Sequence, residues 1–201
     1  MSKRVGIYGG SFNPIHNGHI ALAKQLLRAC RLDEVWFVVS PQNPFKQSSE
    51  LLADDKRLQL VRLALEEEPK LTACDYEFHL PKPSYMWHTL QSMRRDMPDT
   101  TFVLLIGADN WQAFPHWFRH QDIVRNFDIV IYPRKQSPVE EALLPPRVHL
   151  VHAELYDLSS TMIRQRVRCG ESIDGLVPPC IAPLVKAYYA NAERKPHGEQ
   201  P

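Results

Sequence analysis

The sequence predicts an α/β fold: a single domain built on an open, mostly parallel sheet with helices on both faces. Three observations predict it. Strand-like and helix-like patterns alternate along the chain, as in layered α/β domains. The strand segments are short and almost wholly apolar, as expected when both faces of a sheet are covered. The polar, turn-rich motifs follow strands, where open α/β sheets bind their ligands.

The elements follow in order. Arg4–Tyr8 is a short apolar strand, and Gly9–Asn17 is rich in turn residues. An amphipathic helix runs from about Gly18 to Cys30. Glu34–Val39 is a nearly all-apolar second strand, and Ser40–Ser49, with Pro41 and Pro44, is a loop. Asp54–Glu67 carries Leu58, Val61 and Leu65 at helical spacing. Leu71–Cys74 reads as a third strand, and Met86–Met97 as a helix closed by Pro98. Thr101–Ile106 is the clearest strand and runs straight into Gly107. Pro115 divides two short helices, Asp109–Phe114 and Phe118–Asn126. Phe127–Tyr132 and Val148–His152 are further strands. Ser159–Cys169 and Pro179–Asn191 are the last helices, with Pro179 suited to a first turn. Residues 1–192 form the domain, and the polar tail 193–201 is expected to fray.

Composition narrows the function classes. The chain has 201 residues, enough for one domain of the usual roughly 100–200 residues. With 24 Lys and Arg against 23 Asp and Glu, the net charge of +1 argues against a whole-protein grip on nucleic acid or an acidic membrane. No run approaches the ~18 apolar residues of a membrane span. The N-terminal apolar run breaks at Gly9, Gly10 and Asn13, too early for a secretory signal. Cys30, Cys74, Cys169 and Cys180 lack Cys-x-x-Cys spacing. They read as reduced, buried packing residues of a cytoplasmic protein.

The first chemical motif is Gly9-Gly10-Ser11-Phe12-Asn13-Pro14-Ile15-His16-Asn17-Gly18-His19. Paired glycines let backbone approach a phosphate. The helix that follows offers free N–H groups at its N-terminus. His16 and His19, three apart, share one face there and can donate hydrogen bonds to a polyphosphate and to charge developing on it. A His-x-x-His metal pair is a competing reading, but no third ligand stands nearby, so no protein metal ligand is assigned. Asn13 reads as structural, closing the turn through a local side-chain bond.

The second motif is Leu158-Ser159-Ser160-Thr161-Met162-Ile163-Arg164. One hydroxyl serves as helix N-cap. The others, with Arg164 about a turn later, can cradle phosphate, although capping without a ligand explains the segment equally well.

These motifs carry a resemblance. The first is similar to the His-x-Gly-His element of the nucleotidylyltransferase superfamily, and the second to its Ile-Ser-Ser-Thr-x-Ile-Arg phosphate site. The first element alone leaves open pantetheine-phosphate adenylyltransferases, cytidylyltransferases, FAD synthetases and pyridine-nucleotide adenylyltransferases. Pro44-Phe45-Lys46, Pro83-Ser84-Tyr85 with Thr89-Leu90, Ile106-Gly107-Ala108-Asp109-Asn110, Phe114-Pro115-His116-Trp117 and Pro133-Arg134 occur in that order. Together they resemble the bacterial nicotinate-nucleotide adenylyltransferase family, from about Val5 to Val185.

The resemblance implies a Rossmann-like fold and an adenylyl transfer. ATP and nicotinate mononucleotide would give nicotinate adenine dinucleotide and pyrophosphate, in NAD biosynthesis, by in-line attack without a covalent intermediate. It implies catalytic roles for His16, His19, Lys46, Arg134 and Arg164. Gly9, Gly10, Ser11, Phe12, Gly18, Gly107, Asp109, Ser160 and Thr161 would bind ATP, with Asp109 on a ribose hydroxyl. Ser84, Tyr85, Met86 and Trp117 would bind the mononucleotide, with Trp117 stacking on the pyridine ring. Family members usually have Thr at the place of Met86, and acid-preferring ones more often have Asp at the place of Asn13. Mg²⁺ would travel with ATP. The expected partners are these two nucleotides, with neither nucleic acid nor membrane, and a homo-oligomer stays open. Loop 40–49 is a candidate to close on ATP. Alternatives are equal use of nicotinamide mononucleotide, or pantetheine phosphate as acceptor.

Overall fold

The computed structural model describes residues 2–41, 51–154 and 156–190. Its strands are β1 (Lys3–Gly10), β2 (Glu34–Val39), β3 (Leu71–Cys74), β4 (Thr100–Gly107), β5 (Asp128–Tyr132) and β6 (Val148–Leu150). Its helices are α1 (Asn17–Ala29), α2 (Asp54–Ala64), α3 (Met86–Asp96), α4 (Ala108–Ala113), α5 (His120–Asn126), α6 (Ser160–Arg168) and α7 (Ala182–Tyr189). Short 3₁₀ turns occupy Tyr76–His79, Phe114–His116, Glu141–Leu143 and Pro179–Ile181.

All six strands form one sheet in the order β3-β2-β1-β4-β5-β6, and every pairing is parallel. Among the described residues the sheet is parallel throughout. Its order reverses direction between β1 and β4. In doubly wound sheets that switch point opens the crevice where ligands bind, beyond the carboxyl ends of the strands.

Strand side chains alternate between two cores. In β4, Phe102, Leu104 and Ile106 join the layer holding Trp87, Leu90 and Met93 of α3 and Ile123 of α5. Val103 and Leu105 join the opposite layer, with Leu26 of α1, Leu60 of α2, Ile163 of α6 and Val185 of α7. This is why Thr101–Ile106 reads as a continuous apolar run. A fully buried residue such as Leu104 contributes about 1.5–3 kcal/mol through burial.

Several boundaries differ from expectation for local reasons. α2 ends at Ala64 rather than Glu67. α5 starts at His120 rather than Phe118, because Arg119 has φ of 54°, outside helical space. The edge strand β6 ends at Leu150, not His152. Pro179–Ile181 is a 3₁₀ turn leading into α7, and Asn191 lies outside the described residues. So do the tail 193–201, Lys46 and most of loop 40–49, including Pro44 and Phe45.

The four cysteines are free; Cys30 and Cys74 are only half-buried, and the expectation of burial fails for Cys169 and Cys180, which are exposed. Cys169 follows the last turn of α6 and Cys180 sits in a surface 3₁₀ turn, so neither reaches a core. Among the described residues, no helix is long and apolar enough to cross a membrane.

Candidate active site

β1 delivers the first motif to the switch point. Gly10 is closely approached, since an added Cβ would lie 3.0 Å from the Phe12 ring. Phe12 adopts φ of 44°, in the left-handed region that non-glycine residues enter at a cost. Its ring is buried against Tyr8, Phe37 and His19. Of the expected ATP contacts, Phe12 can therefore offer only backbone.

The two histidines meet at the start of α1. Their rings stack with centroids 3.6 Å apart. The His16 backbone N–H donates to His19 Nδ1 at 3.3 Å. Neutral His19 then carries its proton on Nε2. Gly18 explains the spacing of the element: a Cβ there would lie 3.1 Å from His16 Nδ1. His16 is buried, and burial first, then the Arg134 cation, lowers its pKa to about 4. It is a neutral imidazole at pH 7.

The second motif docks onto the first. Ser159 is the N-cap of α6 and accepts from the Met162 N–H at 3.1 Å. Ser160 Oγ donates to the Pro14 carbonyl at 2.8 Å. Arg164 Nη1 donates to the Asn13 carbonyl at 2.9 Å, and Nη2 lies 3.5 Å from Thr161 Oγ1. Residues 146 to 151 positions apart thus share one turn.

Asn13 is structural, but not through a local bond. Its Oδ1 accepts from the Leu52 N–H at 3.1 Å and from the Tyr189 hydroxyl at 2.7 Å. Both partners are distant in sequence, and the side chain is buried in the domain. The Asn13 side chain therefore faces the interior.

Across the switch point, Asp109 and Arg134 converge over Gly107. A Cβ on Gly107 would lie 2.3 Å from Asp109 Oδ1 and 3.1 Å from Arg134 Nε. Arg134 Nε and Asp109 Oδ1 are 3.7 Å apart. The Arg134 guanidinium sits 5.2 Å over the Tyr132 ring. Its Nε is buried without a hydrogen-bond partner among the described residues.

The residues expected at the mononucleotide differ in kind. Trp117 is half-buried, its ring 5.2 Å from Phe114. Tyr85 is half-buried beside the exposed Phe118, with rings 5.0 Å apart. Met86 reaches the end of β1, where its methyl would lie 2.9 Å from a Cβ added to Gly9. Ser84 turns inward instead, donating to Glu77 Oε2 at 2.9 Å. Thr89 donates to Glu77 Oε1 at the same distance. Burial raises the Glu77 pKa, and these hydroxyls oppose the rise.

Sequence reasoning missed Glu77, to which both Ser84 and Thr89 answer. It also missed Arg57, which is fully buried and donates to the carbonyls of Ser11, Ser40 and Leu52. A signal for Arg57 existed: it precedes Leu60, Val61 and Ala64 by three, four and seven residues, on the apolar stripe of α2.

Known proteins resemble this chain in sequence and fold. Residues 7–166 match the cytidylyltransferase-like family model. A probable nicotinate-nucleotide adenylyltransferase of Bacteroides fragilis is 46% identical over 90% of this chain and 90% of its own. One from Bacteroides thetaiotaomicron is 46% identical over 92% of each. A solved Plasmodium falciparum nicotinic acid mononucleotide adenylyltransferase, complexed with NaAD, has the same fold. Its TM-score is 0.76 at 20% identity, covering 92% of this chain and 94% of that one. The chain belongs to the cytidylyltransferase-like family and, within it, groups with the nicotinate-nucleotide adenylyltransferases.

Proposed function

We propose that the chain is an adenylyltransferase of NAD biosynthesis, joining ATP to nicotinate mononucleotide to give nicotinate adenine dinucleotide and pyrophosphate. The observation that carries this reading is the stacked His16–His19 pair at a helix N-terminus, facing a switch point whose other rim holds Arg134 and Asp109. The names of relatives matching nine-tenths of the chain support the substrate pair.

The acceptor phosphate is ionised at pH 7 and needs no general base. Catalysis reduces to alignment and to neutralising charge on the triphosphate. His16, as a neutral donor, and His19 through Nε2–H would hold phosphate oxygens and the charge that builds at the α-phosphorus. Arg134 would supply full positive charge there. Ser160, Thr161 and Arg164 would act at the β/γ end and Lys46 at the reacting phosphates. Asp109 would accept from a ribose hydroxyl. Trp117 would stack on the pyridinium, an attraction of roughly 0.5–2 kcal/mol. Tyr85 and the backbone near Met86 would line that ring. Ser84 would support the pocket through Glu77 rather than touch the ring.

Mg²⁺ is proposed to arrive on ATP. Among the described residues, no group of three or more His, Cys, Asp or Glu could hold a metal. The donors present, imidazoles and guanidinium with one carboxylate, suit phosphate oxygens better than a hard cation. Mg²⁺ would screen the triphosphate while ATP oxygens and water coordinate it. A cytoplasmic setting fits four free thiols. Nucleic acid and membrane have no part in this reading, and it holds for a monomer or a homo-oligomer.

The test follows pyrophosphate release from ATP and Mg²⁺ with nicotinate mononucleotide, nicotinamide mononucleotide or pantetheine phosphate. Fast release with the first alone is expected. No release with either pyridine nucleotide overturns the reading, and equal rates with both remove only the acid preference.

A further inference from the structure

Arg57 is one of the largest side chains in the protein with no exposed surface. Its guanidinium reaches three separate segments. Nη1 donates to the Ser11 carbonyl at 2.5 Å, in the turn after β1. Nη2 donates to the Ser40 carbonyl at 2.9 Å and lies 3.3 Å from that of Pro41, just beyond β2. Nε donates to the Leu52 carbonyl at 2.9 Å, ahead of α2. Its acidic partner is Asp54, with Nη2 2.7 Å from Oδ1, and the Asp54 side chain is about one-third exposed.

A buried cation is costly unless its donors are met, and here carbonyls meet most of them. The arrangement fixes a particular peptide. In a planar trans unit, C=O and N–H point in opposite directions. With the Ser11 carbonyl held toward Arg57, the Phe12 N–H faces the other way. Phe12 itself is left-handed, and such a residue in a turn can gather successive N–H groups into an anion-binding concavity. The side chain that closes this turn from below thus comes from a different helix.

We propose that Arg57 is a positioning residue for ATP: by holding the Ser11 carbonyl inward it fixes the Ser11–Phe12 peptide, and the backbone donors of the turn, in their phosphate-binding orientation. It touches no substrate. The proposal rests on the reading that this turn binds ATP phosphates. It requires a planar fork of donors, which an ammonium cannot reproduce.

The test compares Arg57→Lys and Asp54→Asn with the native chain by calorimetric titration of ATP and, separately, of nicotinate mononucleotide. For Arg57→Lys the ATP Kd should rise about tenfold while the mononucleotide Kd stays within about twofold. Asp54→Asn keeps Arg57 but loosens it, so the ATP Kd should rise about two- to threefold. If Arg57→Lys fails to fold, the partly exposed Asp54 variant decides alone. Equal weakening of both ligands, or no change in ATP affinity, overturns the proposal and leaves Arg57 as core packing. Turnover by the native chain tests the functional reading separately.

Discussion

Asn13, Pro14, Ile15 and His16, which follow β1, are buried, whereas Asp109, Asn110 and Phe118 beyond β4 are exposed. The first rim of the crevice is tied down from α2, α6 and α7 through Arg57, Ser160, Arg164 and Tyr189. The second rim has one loose ion pair over Gly107 and a half-open aromatic group around Tyr85, Trp117 and Phe118. The contrast between the tied turn after β1 and the open aromatic group follows from what each is proposed to meet. Charge stabilisation at a reacting phosphate works through donors fixed in advance, with little reorganisation. A flat pyridine ring needs an accessible face to slide onto.

The strongest test of that difference removes one imidazole. His19→Ala should lower turnover about a hundredfold or more, the range expected for a lost charge-stabilising donor. Its unfolding free energy should change by less than about 1 kcal/mol, because the side chain is only partly buried. Near-native turnover, measured by pyrophosphate release, removes His19 from the mechanism.

Gly18→Ala asks whether the first rim needs its geometry or only its groups. Alanine is favoured over glycine within a helix by about 1 kcal/mol. Yet its Cβ would lie 3.1 Å from His16 Nδ1 and 3.3 Å from the Tyr156 Cβ, so the imidazole must shift. We expect roughly tenfold slower turnover without loss of thermal stability. Unchanged turnover with added stability means the crevice tolerates a displaced His16.

Trp117→Ala probes the open rim. Losing the stacking face should raise KM for the mononucleotide about 3- to 30-fold and leave KM for ATP unchanged. An equal rise in both would show that the two rims are coupled.

Much of this contrast was legible in the sequence, but unevenly. β2 and β3 have the expected bounds, and the buried run Phe37–Val39 is the part of β2 that a strand covered on both faces makes legible. The His16–His19 pairing follows from helical spacing, and the Ser159 cap from hydroxyl chemistry. What stayed hidden is long-range. Asn13 looks like a turn residue, and nothing local announces that its acceptors serve Leu52 and Tyr189. Ser84 looks like a ligand donor until Glu77 is seen between it and Thr89. The turn at Tyr76–His79 leaves no mark, because one turn of 3₁₀ helix has no apolar period to read.

The smallest effect separates the rims by pH rather than by mutation. His16 has a folded pKa near 4, below its ordinary 6.5, chiefly through burial. Between those values the unfolded chain binds a proton that the folded chain refuses. Stability therefore rises with pH across that window and falls as pH drops from about 6.5 toward 4. By pH 5.5 the loss from this one group should reach about 1 kcal/mol relative to pH 7. His16→Gln removes the titration while keeping a polar side chain of similar reach. Urea unfolding at pH 7 and pH 5.5 should then show the native chain losing about 1 kcal/mol more than the variant across that step. Parallel losses would mean that His16 protonates as freely in the folded chain as in the unfolded one. The buried rim would then be open to water, and the distinction between a fixed phosphate grip and an open ring pocket would fail at its best-defended residue.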